Sequence, residues 1–168
     1  YISYPPLRPV AGGVIIALAV WALGTTKYIG LGVPTIVASF SEQQMWYDFL
    51  LKLLFTTFTI GVGFKGGEVT PLFFVGATLG SALSFIIPLP MGLLAGLGFV
   101  AVFAGATNTP IACTFMGIEL FGIEPGIYLG IACVVAYLFS GHTGIYTSQV
   151  VGTPKHLIYL RDKGRTLK

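Results

Sequence analysis

Charge is what this sequence has least of. Of its 168 residues only 9% are Asp, Glu, Lys or Arg, against roughly 25% in soluble globular domains. Hydrophobic residues make up 55%, and the mean hydropathy is +0.87. The scarcity is patterned: no charged side chain lies between Arg8 and Lys27, between Glu68 and Glu119, or between Glu124 and Lys155. The last two gaps can each hold a span of about 20 apolar residues, and the first nearly can. That excludes an ordinary soluble surface and points to lipid as the solvent. Cysteine is equally scarce. Cys113 and Cys133 sit inside apolar runs without Cys-x-x-Cys spacing, which suits buried small hydrophobes better than a disulfide or metal site. His142 and His156 are too few for a histidine-based metal centre, so no metal or cofactor is expected. No nucleophile–base pair emerges, which leaves an enzyme as the weakest class. The chain begins with Tyr1 and shows no signal-peptide pattern, so it is expected to be a piece of a longer protein.

What is present is glycine, 23 residues, and proline, 10. In water these would suggest loops, but membrane helices use both because neighbouring helices re-satisfy the backbone. The net charge of +3 gathers at one end, in Lys155, Arg161, Lys163, Arg165 and Lys168. The positive-inside rule makes that end cytoplasmic. One short basic tail behind an apolar bundle argues for topology rather than a nucleic-acid partner. The expected division is therefore a membrane-embedded region, residues 1–154, and a basic cytoplasmic tail, residues 155–168, of a multi-pass protein of the cell membrane.

The breakers divide the apolar stretch into short segments. Apolar runs are expected at residues 10–23, 49–62, 72–87, 91–106, 111–121, 127–140 and 145–151. Lys52, near the start of its run, is expected to snorkel to the headgroups. Several runs are too short for a full crossing. Short, Gly/Pro-interrupted segments point to discontinuous helices whose ends meet near the midplane to bind substrate, favouring a transporter or channel over an anchor. Gly76/Gly80, Gly92/Gly96 and Gly126/Gly130 read as sites of close helix packing.

One of these breaks carries chemistry. Thr70-Pro71 reads as an N-cap followed by proline at the first helical position. Gly66 and Gly67 before it leave the backbone approachable. The free amides and the dipole of such a helix start suit a small anion. Capping alone favours a plain helix start, as at Thr109-Pro110 and Thr153-Pro154. Glu68 adds either an acid that exchanges protons beside the anion or a loop acid paired with Lys65. Phe74, four residues after Thr70, is expected near the same helix face, where a ring edge can meet an anion or simply pack in the core. Tyr146, after the break Gly141-His142-Thr143-Gly144, offers a phenolic donor or an interfacial anchor.

In order and spacing these segments resemble the CLC superfamily of chloride channels and anion/proton exchangers over nearly the whole chain. Gly67-Glu68-Val69-Thr70-Pro71 is similar to the family's Gly-x-Phe-x-Pro motif. The stretch from Phe103 to Gly122, with Thr109-Pro110 and Glu119-Leu120, resembles the helix pair that follows, and Tyr146 falls at the family's central tyrosine. Val69 stands where chloride-type members usually carry Phe, and Glu68 where they usually carry an apolar residue. Gly-Glu-Val-Thr-Pro resembles instead the fluoride-exporting branch. The resemblance implies an all-α, multi-pass transmembrane helical bundle with broken, tilted helices, forming the second half of an inverted-repeat fold. It implies a fluoride/proton antiporter, working as a homodimer, in which Glu68, Thr70 and Tyr146 serve fluoride passage, Glu68 exchanges the proton, and backbone amides near Glu68 and Val69 bind the anion. Phe74 rests on helical spacing alone. The family's other half-site does not occur here, so a missing N-terminal half is an implied partner. The alternatives are a chloride channel or chloride/proton exchanger, and, in another class, a non-conducting membrane scaffold.

Overall fold

Proline and glycine set the helix ends along this chain. The computed structural model describes residues 6–155 together with Gly164 and Thr166. Among them are seven α-helices: α1 (Leu7–Leu23), α2 (Val33–Ala38), α3 (Asp48–Gly61), α4 (Val69–Leu83), α5 (Met91–Thr107), α6 (Pro110–Phe121) and α7 (Gly126–Phe139). Gly24 closes α1 in a left-handed conformation, with its N–H donated to the Trp21 carbonyl. Pro90 precedes α5, and Asn108, also left-handed, ends it; Thr109-Pro110 then opens α6 as expected. The described residues form no strand beyond one isolated bridge, Val150 to Thr166.

The longest helices, α1 and α5, have 17 residues, about 25 Å of rise against a hydrocarbon core of about 30 Å. No helix among the described residues is long and apolar enough to cross a membrane.

The centre of the bundle is the α4–α5 pair, which meets backbone to backbone. A Cβ built at Gly80 would lie 2.0 Å from the Leu94 carbonyl oxygen, and one at Gly76 would lie 2.3 Å from that of Gly98. Only a hydrogen at these positions lets the helices approach so closely. Around this contact Phe73 stacks on Phe99 at 4.1 Å, and Phe99 meets Phe121 edge to face at 5.7 Å. Val100, Ala104, Cys113, Leu129 and Cys133 fill the space between α5, α6 and α7. Both cysteines are free thiols. Gly80→Ala in the full-length protein is expected to force α4 and α5 apart and cost about 3 kcal/mol, at the upper end of overpacking effects. A melting temperature in detergent equal to wild type would show that the pair can spread at no cost.

The outer faces are apolar. Trp21 on α1, Ile111 on α6, and Ile127 and Phe139 on α7 are all more than 70% exposed, as suits helices that face lipid or further protein.

Several expectations are corrected. The run expected over residues 72–87 stops as a helix at Leu83, where turns carry the chain to Pro88. Residues 145–151 form no helix; they turn back across the end of α5. Helix α2 was not expected at all: Gly32 turns the chain in a left-handed conformation, and Pro34 then sits in the first helical turn. Residues 152–155 are not helical, and the rest of any helix begun at Thr153-Pro154 lies outside the described residues. So does most of the basic tail.

Candidate functional site

The start of α4 lies two residues earlier than capping rules suggest. Glu68, not Thr70, occupies the N-cap, Val69 is the first helical residue, and Pro71 the third. No side chain caps this end, so neither the Glu68 carboxylate nor the Thr70 hydroxyl is spent on the helix's own amides. Leu72 N–H donates to the Glu68 carbonyl at 3.3 Å. Pro71 has no N–H to satisfy, which leaves the amides of Glu68, Val69 and Thr70 as the donors an anion would meet. Glu68 is exposed, and among the described residues it forms no ion pair, with Lys65 or any other cation.

Helix spacing also places Phe74, but not on an open passage. The ring is fully buried in the core. Gly32 lies so close that a Cβ there would sit 2.5 Å from the ring, and the Lys52 ammonium lies 5.1 Å from the ring centroid. Lys52 corrects a second expectation. Rather than snorkelling, it is 1% exposed and donates to the carbonyls of Gly30 at 2.6 Å and Tyr28 at 3.2 Å. One turn earlier Asp48, equally buried, accepts from Lys27 Nζ and the Tyr28 hydroxyl at 2.6 Å each and from the Met45 amide at 3.0 Å. These bonds tie the turn before α2 to α3. The spacing Asp48–Lys52 inside an apolar run was the available signal for this network.

Tyr146 reaches the same end of the bundle by another route. The close pairs Gly76–Gly98 and Gly80–Leu94 share one antiparallel register. Continued toward the start of α4, that register sets Ala106 level with Glu68. Ile145 N–H donates to the Ala106 carbonyl at 2.9 Å, and Gln149 Nε2 to that of Thr107 at 2.9 Å. The segment carrying Tyr146 is thus fastened to the end of α5 that flanks the α4 start. The tyrosine side chain itself is 44% exposed.

Beyond it, Lys155 Nζ donates to Asn108 Oδ1 and to Ser140 Oγ, and lies 3.9 Å from the Tyr137 ring centroid. Its ammonium closes the C-terminal ends of α5 and α7, where the helix dipoles favour a cation. Burial pushes it down to about 8. Among the described residues no cluster suited to a metal ion occurs.

Short apolar helices broken by Gly and Pro, apolar outer faces and a central glycine-mediated helix pair define an all-α, multi-pass membrane fold. The chain belongs to the voltage gated chloride channel family, whose model matches residues 1–141. It is 58% identical over 161 residues to a chloride/fluoride channel protein of Pseudomonas syringae pv. tomato, covering 92% of this chain and 36% of that protein. It is 34% identical over 160 residues to the voltage-gated ClC-type chloride channel ClcB of Salmonella typhimurium, covering 84% of this chain and 37% of that one. The crystal structure of a CLC-type fluoride/proton antiporter superposes with a TM-score of 0.78 at 43% identity, over 83% of this chain and 35% of that chain. The chain thus spans little more than a third of the length of these relatives.

Proposed function

We propose that the complete protein is a fluoride/proton antiporter that exports fluoride, and that this chain supplies one half of its anion site. The observation that carries the reading is the uncapped start of α4. Glu68 and Thr70 stand there with their polar groups uncommitted, in a Gly-Glu-Val-Thr-Pro sequence, on a chain similar to a CLC-type fluoride/proton antiporter. Glu68 carries the proton. Thr70, Tyr146 and the amides of Glu68 and Val69 meet the anion, with Phe74 as the packed wall behind them. The rest of the site comes from the missing N-terminal half. The protein works in the cell membrane as a homodimer, with residues 155–168 as a cytoplasmic tail. A chloride channel or exchanger is the second reading, favoured by the likeness to ClcB.

Flux separates these. The full-length protein in liposomes is expected to move fluoride against protons, read by a fluoride electrode and a pH electrode together. Residues 1–168 alone are expected to leave fluoride and chloride gradients intact, because a site between two halves needs helix ends from both. Anion flux from the fragment would overturn the half-site reading, and no flux from the complete protein would favour a scaffold.

A further inference from the structure

Helix α3 carries a polar stripe that the start of α4 does not explain. Asp48, Lys52, Thr56 and Thr59 follow one another at intervals of four, four and three residues, and so share one face of a helix that is otherwise apolar except for Thr57. Asp48 is engaged by Lys27, Tyr28 and Met45. Lys52 is held by two carbonyls and an aromatic face, and among the described residues no carboxylate pairs with it. Those dipoles orient the ammonium without cancelling its charge. A simple tie between α3 and the Tyr28–Gly30 turn needs a hydrogen-bond donor, which a neutral amide supplies without the cost of a buried charge.

The same residue borders a space. Lys52, Thr56 and Thr59 line one side of a cavity of about 410 Å³, and Gly66, Gly67 and Pro71, which lead into α4, line another. A Cβ at Gly66 or Gly67 would meet no heavy atom within 4 Å, so the backbone there is open to an occupant. The Thr59 hydroxyl donates to the Phe55 carbonyl, whereas that of Thr56 has no partner among the described residues.

We propose that this cavity is a second subsite for a small monovalent anion, in which Lys52 supplies the charge and Thr56 a hydrogen bond, set beside the start of α4. The proposal rests on the transport reading above and adds a holding site to it. An anion there exchanges part of its hydration for a fixed positive charge and one hydroxyl, and stands next to the glycines that lead to Glu68.

Full-length Lys52→Met, Lys52→Arg and Thr56→Val, reconstituted in liposomes, test this. Loss of a hydrogen bond to a charged partner corresponds to about tenfold or more in binding. Lys52→Met is therefore expected to raise the KM for fluoride by about tenfold, the effect falling on KM rather than on the maximal rate. Thr56→Val is expected to act in the same direction, and Lys52→Arg to restore the wild-type value. Calorimetric titration with sodium fluoride on the same preparations should show the same order of affinities. A folded Lys52→Met or Thr56→Val protein with wild-type KM and affinity overturns the subsite, as does a loss of maximal rate at unchanged KM. Should Lys52→Met fail to fold, Thr56→Val, which keeps its side chain's shape, decides alone. A wild-type protein without fluoride flux would remove the transport reading instead; weakened fluoride binding in the variants would still support the subsite, and unaltered binding would overturn it.

Discussion

Glu68→Gln in the full-length protein is expected to uncouple anion movement from protons while leaving the bundle intact. Glutamine keeps the length and shape of the side chain and removes its capacity to take up and release a proton. The structural cost is small, because Glu68 is exposed, makes no side-chain cap and pairs with no cation among the described residues; surface changes of that kind stay within about 0.5 kcal/mol. Proton transfer by a positioned side chain contributes about a hundredfold or more, so proton flux driven by a fluoride gradient should fall by about a hundredfold. Simultaneous fluoride and pH recordings from liposomes measure both. Coupling that survives unchanged would make Glu68 an ordinary loop acid. It would then be no more informative than Glu119, which lies exposed near the end of α6.

The helical class and the positions of α1, α3, α5, α6 and α7 were legible because breakers punctuate apolar runs, and Gly, Pro and Asn act through local sterics. The start of α4 was displaced because Thr-Pro satisfies a local capping rule, whereas the chain enters the helix at Glu68 in a backbone conformation already close to helical. Local rules cannot see which of two nearby residues the packing of Gly76 and Gly80 against α5 will bring into register. Lys52 was misread for the same reason. A lysine near a helix end ordinarily reaches water, but here the turn from Tyr28 to Gly30 folds back over it and offers two carbonyls, a contact that spans more than 20 residues of sequence. Phe74 was placed on the correct helix, and its burial depends on that same turn: Gly32 closes on the ring from one side and Lys52 from another. Tyr146 was located by its resemblance to a family position. Its neighbourhood at the end of α5 became visible only through the hydrogen bond from Ile145 to Ala106.

Fluoride is expected to be carried in preference to chloride, and Thr70 to set much of that preference. Fluoride is small and strongly hydrated, so a site that strips its water must return short, directed hydrogen bonds; chloride accepts diffuse amide contacts. Thr70 and Tyr146 bring hydroxyl donors to the same end of the α4–α5 pair. One hydrogen bond to a charged partner contributes about 1.5–3 kcal/mol, or roughly ten- to a hundredfold in binding. Thr70→Val preserves shape and removes the hydroxyl. Because Thr70 is the second helical residue and caps nothing, the substitution costs α4 no more than a few tenths of a kcal/mol in helix propensity. Thr70→Val and Tyr146→Phe should therefore each lower fluoride flux by about tenfold or more and chloride flux far less. Phe74→Leu, by contrast, alters a fully buried ring packed under Lys52, and should lower the melting temperature while leaving the halide ratio unchanged. Liposome flux measured with each halide on wild type and the three variants decides the matter. Chloride flux equal to or faster than fluoride in the wild type would move the protein to the chloride branch of its family, and a halide ratio that follows Phe74 rather than Thr70 would place the selective contact on the ring.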